Sequence, residues 1–96
     1  MDASTLDVKH NPEKKRFEVQ LGDQIAMVEY MLSGNNMIFT HTEVPREFEG
    51  QGIANHMAKF ALDYAVEAGH KIQPLCPLVK RYVDRHPEYQ KHSWGY

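Results

Sequence analysis

The segment VPREFEGQGIA, residues 44–54, combines small residues at alternate positions with a change from strand-like to helix-like patterning. Gly50, Gly52 and Ala54 carry little or no side chain, so the backbone amides around them stay uncovered. Where such a turn opens a helix, the free N–H groups of the first helical turn and the positive end of the helix dipole favour a phosphate or pyrophosphate. On spacing alone, a turn that serves only the fold is an equally good interpretation.

The residues before this turn are patterned as four β-strands. In the clearest of them, Phe17, Val19 and Leu21 alternate with polar residues, which is the period of a strand with one buried face. The nearly continuous apolar run at 24–32 predicts a central strand covered on both faces. A turn rich in Gly and Asn at 33–36 favours a hairpin, so an antiparallel meander is the simplest arrangement. The predicted strands are 6–10, 16–21, 24–32 and 37–44.

The residues after the turn are patterned as helix, strand and helix. Apolar residues recur at steps of three and four over 53–68, which predicts an amphipathic helix ended by Gly69. Residues 71–75 then predict a fifth strand, parallel to the fourth because a helix crosses over between them. A second helix is predicted over 77–85, with proline at its first position. We therefore expect an α/β (α+β) fold in one domain, residues 1–96, with a mixed, mostly antiparallel sheet of about five strands and two main helices.

Composition restricts the class of protein. The 96 residues are 42% hydrophobic and 25% charged, as in soluble globular domains with one core. No apolar run approaches the ~20 residues of a membrane span and the N-terminus lacks a signal-peptide pattern, so we expect a cytoplasmic protein. The net charge of -2 argues against a nucleic-acid partner. A single cysteine, Cys76, excludes an intramolecular disulfide and a zinc site of several thiolates, and we expect no metal.

Three further segments accompany the glycine turn: HTEVP at 41–45, PLCP at 74–77 and HPEY at 86–89. Together with the turn they resemble the very short, stand-alone N-acetyltransferase-domain proteins of the GNAT acetyltransferase superfamily, over about residues 6–90. The turn is similar to that superfamily's pyrophosphate-binding motif, Gln/Arg-x-x-Gly-x-Gly/Ala, aligned from Glu49 to Ala54. One position departs from the motif, since Glu49 stands where the family usually has Arg or Gln.

The resemblance implies acetyl-CoA as the cofactor and an N-acetyltransferase that moves its acetyl group to a primary amine. It also implies that the pyrophosphate lies on the amides of the turn and the pantetheine arm between the fourth and fifth strands. The cofactor-binding residues on this basis are Val44, Glu49, Gly50, Gln51, Gly52, Ile53, Ala54 and Asn55. The basic residues between Lys80 and Arg85 become candidates for contacts to the adenosine phosphate.

Larger members of the superfamily place two helices between their first two strands, where this chain has only residues 11–15. We therefore expect an open acceptor side, suited to a protein or peptide amine, and a monomer or weak dimer with no membrane partner. An alternative function is a CoA-binding or interaction module without transferase activity, which Glu49 and the short connection both favour. If Gly50 and Gly52 serve only the fold, we instead expect no CoA binding.

Cys76 is the first candidate catalytic residue because it follows the fifth strand and precedes Pro77, at the N-cap of the second helix. A helix N-terminus stabilises negative charge and so favours a thiolate. The thiol could attack the thioester to form an acetyl-cysteine, or it could protonate the departing CoA thiolate during direct attack by the amine. Direct transfer is the usual mechanism of the superfamily. A small buried hydrophobe is the remaining interpretation.

His41 is the second candidate, as a general base on the strand that should border the thioester. A hydrogen bond from its ring to a neighbouring backbone group is an alternative, and Glu43 is a competing base. Tyr82 on the second helix could donate a proton, although its apolar spacing favours packing.

Overall fold

The computed structural model describes residues 2–96 and contains one five-stranded sheet in the order β1-β2-β3-β4-β5. The strands are β1 (Lys9–Asn11), β2 (Arg16–Leu21), β3 (Gln24–Ser33), β4 (Asn36–Glu43) and β5 (Lys71–Pro74). The main helices are α1 (Ile53–Glu67) and α2 (Pro77–Arg85), and short 3-10 helices span Ala3–Thr5, Arg46–Phe48 and Pro87–His92. β1 to β4 pair antiparallel, and β5 pairs parallel with β4. The predicted α+β fold with a mixed, mostly antiparallel sheet is confirmed.

The first strand is shorter than the sequence predicts. The expected strand at 6–10 is replaced by a strand that begins only at Lys9, and a 3-10 helix at 3–5 precedes it. The side chain of Asp2 caps this helix by accepting a hydrogen bond from the Ser4 amide at 3.0 Å. A local cap of this kind competes with strand pairing.

The core lies on one face of the sheet. The buried residues of α1 and α2 join those of β2 to β5 in a single apolar cluster. In β3, Ala26, Val28 and Tyr30 are buried in this cluster, whereas Met31 on the opposite face is 56% exposed. The prediction that β3 is covered on both faces is therefore wrong: the two helices pack side by side on one face and leave the other open to solvent.

The ends of both helices agree with the sequence. α1 ends in a Schellman motif, in which the His70 amide donates to the Ala65 carbonyl at 2.9 Å and the Gly69 amide to Val66 at 3.1 Å. α2 begins with Pro77, where a missing N–H costs no helical hydrogen bond. In residues 2–96, no helix combines the length and the apolar character needed to cross a membrane.

β4 and β5 separate halfway along β4. The carbonyl of Phe39 accepts hydrogen bonds from the amides of both Leu75 and Cys76, at 3.1 and 2.8 Å, and pairing with β5 ends there. On the other side of β4, Tyr30 pairs with Phe39 while Glu29 pairs with His41, which leaves Thr40 as an extra, bulged residue. The side chains of the second half of β4 therefore point to the opposite faces from those that simple alternation would give. The edge of β4 that faces β5 is left unpaired there, at the point where the chain enters α2.

Candidate functional site

A cleft of about 450 Å³ lies beside this opening, between the start of α1 and one face of α2. The end of β4 and the following 3-10 helix contribute Thr42, Val44 and Phe48. The glycine turn and the first turn of α1 contribute Glu49, Gly50, Gly52, Ile53, Ala54 and Asn55. α2 and its C-cap contribute Leu78, Arg81, Tyr82, Arg85 and His86. The cleft therefore brings together seven of the eight residues predicted to bind the cofactor; the eighth, Gln51, is exposed outside it.

The glycine turn leaves the first amides of α1 without helical or side-chain partners. Gly50 and Gly52 have φ of +79° and +81°, a region that other residues rarely adopt. Gly52 is the N-cap and has no side chain to cap the helix. The first bond from an amide to a carbonyl four residues earlier joins His56 to Gly52 at 3.0 Å, so the amides of residues 53–55 remain available.

The turn also has room for a ligand. A Cβ added to Gly50 would meet no atom within 4 Å, and one added to Gly52 would meet only Ala3, at 3.8 Å. The turn therefore presents bare backbone to the cleft, and uncapped amides at a positive helix end suit a phosphate or pyrophosphate group.

α2 carries two stripes of side chains with different roles. Val79 and Val83 are fully buried in the core, while Leu78 and Tyr82 are half-buried and line the cleft. The sequence pattern predicts all four on the inner side of the helix. Leu78 and Tyr82 do pack against the core there, and they also line the cleft. His86 continues the cleft stripe at the end of α2.

Tyr82 forms the wall of the cleft together with His86. Their rings stack with centroids 3.8 Å apart, and the Nδ1–H of His86 donates to the Tyr82 carbonyl at 2.7 Å. Burial raises the pKa of the Tyr82 hydroxyl, and the nearby Lys59 ammonium on α1 opposes this shift. Tyr82 is about 9 Å along the axis of α2 from Cys76, at a rise of ~1.5 Å per residue, and it packs against the core, which fits a packing role better than proton donation to a thiolate.

Cys76 lies where β4 and β5 separate. It is 5% exposed, forms the N-cap of α2 and makes no capping hydrogen bond with its side chain. Its Sγ lies 3.3 Å from Oγ1 of Thr42, which lines the cleft. The thiol is therefore positioned directly next to the cleft wall, at the end where β4 leaves β5.

His41 lies on the opposite face of β4 from Cys76. Simple alternation from the buried Phe39 would put His41 on the core side, but the bulge at Thr40 reverses the alternation. As a result Thr42 pairs with Val28 on the core side, and His41 faces the open side of the sheet. Its Nε2 is 4.0 Å from a carboxylate oxygen of Glu43, and both side chains are more than half exposed.

Sequence reasoning did not identify Thr42, Phe48 or His86 as site residues. Alternation from the buried Phe39 would place Thr42 on the other face, so its position could not be read from the sequence, and the half-buried Phe48 carries no recognisable signal either. Among residues 2–96, the structure contains no group of three His, Cys, Asp or Glu side chains that could hold a metal ion.

Comparison with known proteins identifies the family. A profile described as GCN5-related N-acetyl-transferase matches residues 16–92. The protein named Protein NATD1 from Gallus gallus is 35% identical over 92 residues, covering 91% of this chain and 84% of that protein. The protein of the same name from Homo sapiens is 36% identical over 85 residues, covering 85% of this chain and 75% of that protein.

A solved structure has the same fold. The NMR solution structure of a GCN5-like protein from Staphylococcus aureus matches with a TM-score of 0.74 and 25% identity, covering 97% of this chain and 92% of that one. The family match includes the glycine turn, Cys76 and all of α2. The chain therefore belongs to the GCN5-related N-acetyltransferase family.

Proposed function

We propose that this protein transfers the acetyl group of acetyl-CoA to a primary amine. The observation that carries the proposal is the cleft, which has the uncapped start of α1 along one wall, the arginines of α2 along the other, and Thr42 beside Cys76 at the strand opening. An elongated anionic cofactor that ends in a reactive sulfur matches this order of groups. The alternative, a CoA-binding module without transfer, is supported by the Glu49 carboxylate in the same cleft.

The lining residues suit the parts of the cofactor. The amides of residues 53–55 can donate hydrogen bonds to a pyrophosphate, and the apolar surfaces of Val44, Phe48 and Leu78 suit a pantetheine arm. The cofactor supplies an activated acetyl thioester when bound.

Proton transfer is the task that remains for the protein side chains. In direct transfer the amine nitrogen bonds to the acetyl carbon, the carbon–sulfur bond breaks, and the departing thiolate takes up a proton. The Cys76 Sγ, next to the Thr42 hydroxyl, is our candidate donor of that proton. His41, on the open face of β4, is our candidate acceptor for the proton that the amine must lose.

The acceptor would approach from the uncovered face of the sheet. Residues 12–15 alone connect β1 to β2, so no helix is inserted at the place where larger relatives carry two. An open face fits an amine on a protein or peptide better than a small molecule that needs an enclosed pocket.

Isothermal titration with acetyl-CoA, followed by mass analysis of candidate amine acceptors, tests the proposal. We expect saturable binding with one site per chain and a gain of one acetyl group on an acceptor. Binding without transfer to any acceptor would support the CoA-binding module instead. A protein that binds no CoA would contradict both functions and leave the glycines to the fold alone.

Replacing Glu49 by Gln should tighten acetyl-CoA binding about threefold, because it removes an exposed carboxylate from a cleft that would hold phosphates. Glu47→Gln is the matched control: Glu47 contacts Gln24 at 2.8 Å and does not line the cleft. Titration of both variants at low salt measures the effect. Equal affinities for the two variants would show that Glu49 does not oppose the cofactor.

A further inference from the structure

Two arginines on the cleft face of α2 are not neutralised by acidic partners. Arg81 and Arg85 lie one helical turn apart, both line the cleft and both are exposed. In the part of the chain that the structure describes, neither forms an ion pair, whereas the neighbouring Lys80 is held by Asp84 at 2.7 Å. The Tyr96 hydroxyl also accepts a hydrogen bond from Lys80, at 2.9 Å. The positive charge that α2 presents to the cleft therefore comes from the two arginines.

These arginines lie away from the strand opening and belong to a different wall of the cleft from the glycine turn. Along the axis of α2, residues 81 and 85 are about 7.5 and 13.5 Å beyond Cys76, at a rise of ~1.5 Å per residue. The amides of residues 53–55 belong to the other wall of the cleft. The cleft thus contains two separate groups of anion-binding donors: backbone amides on α1 and guanidinium groups on α2.

Two groups of donors are more than a single pyrophosphate requires. A guanidinium group binds a phosphate through two parallel N–H donors, which suits a terminal phosphate monoester with several free oxygens. CoA carries such a group, the 3′-phosphate of its ribose, in addition to its pyrophosphate. Among residues 2–96, Glu49 is the only acidic side chain that lines the cleft, and it belongs to the glycine turn and not to α2.

We infer that Arg81 and Arg85 bind the 3′-phosphate of CoA and make the cleft selective for CoA over dephospho-CoA, which lacks that phosphate. This inference rests on the proposed CoA-binding function and assigns to α2 the choice between the two nucleotides. The pyrophosphate remains with the glycine turn.

Titration of the full chain with CoA and with dephospho-CoA tests the inference by binding alone. The wild-type protein should bind CoA at least tenfold more tightly than dephospho-CoA. The ratio of the two affinities should fall at least threefold in Arg81→Gln and in Arg85→Gln, chiefly because CoA binding becomes weaker. In the double variant the ratio should be near one. Lys80→Gln removes the same charge from the same helix outside the cleft and should keep the wild-type ratio.

Three results would overturn the inference, and they have different meanings. If the wild-type protein binds both nucleotides equally tightly, the inferred contact to the 3′-phosphate is contradicted, but the proposed function is not. If the arginine variants weaken the binding of both nucleotides by the same factor, the arginines have a general electrostatic role and do not recognise the 3′-phosphate. Absence of binding to either nucleotide would contradict the proposed function together with this inference.

Discussion

Replacing Gly52 by Asp should weaken acetyl-CoA binding roughly 100-fold without unfolding the protein. Gly52 is the N-cap of α1, and a carboxylate there would accept hydrogen bonds from the amides of residues 54 and 55 and so compete with a phosphate for them. It would also repel the phosphates: one carboxylate about 5 Å from a phosphate charge costs ~3 kcal/mol at an effective dielectric constant of about 20. That cost corresponds to a factor of roughly 100 in Kd. Isothermal titration measures the loss directly.

Two controls separate charge from backbone strain in this experiment. Gly52→Asn has nearly the same size and the same tolerance of positive φ but no charge, so its loss of affinity should stay below about tenfold. Gly34→Asp places the same residue at a φ of +57° in the β3–β4 turn, outside the cleft. Its thermal unfolding should shift as in Gly52→Asp, while its affinity should match the wild-type value. Equal affinities for the Asp and Asn variants at Gly52 would contradict a phosphate site at the turn.

The parts of the structure that the sequence predicts correctly are set by neighbouring residues. The glycine turn, the start of α1 and its end at Gly69 depend on local backbone conformation and on the amides that it leaves free. The alternation in β2 needs only one buried face, which three apolar residues at period two make plain. These signals are short-range, so no knowledge of the rest of the fold is required.

The features that the sequence does not reveal concern faces, which are set by packing between distant elements. Nothing in the apolar run of β3 shows that α1 and α2 pack on the same side, so one of its faces stays open. The bulge at Thr40 has no visible sequence signal, yet it moves His41 to the open face and brings Thr42 to the cleft. Likewise the rotation of α2, which turns Tyr82 toward the cleft, depends on its contact with α1.

The position of Cys76 beside the strand opening leads to the second large effect. Cys76→Ala should lower the rate of acetyl transfer about 100-fold, since a positioned general acid contributes at least that factor. Acetyl-CoA binding should stay within about threefold of the wild-type value, because the thiol lies next to the cleft and not in its lining. Cys76→Ser retains a hydroxyl donor within reach of Thr42 and should recover part of the rate. Steady-state transfer assays and titrations on the same preparations separate rate from binding.

Val79→Ala distinguishes a chemical role for Cys76 from a packing role. Val79 is fully buried on the same helix, does not line the cleft and carries no polar atom in its side chain. Its truncation should therefore lower the thermal unfolding temperature at least as much as Cys76→Ala while leaving the transfer rate near the wild-type value. If the transfer rate is unchanged in both Cys76 variants, the thiol serves only packing. If Cys76 carries an acetyl group after incubation with acetyl-CoA and then passes it to an added amine, the reaction follows a covalent route through this sulfur instead of direct transfer.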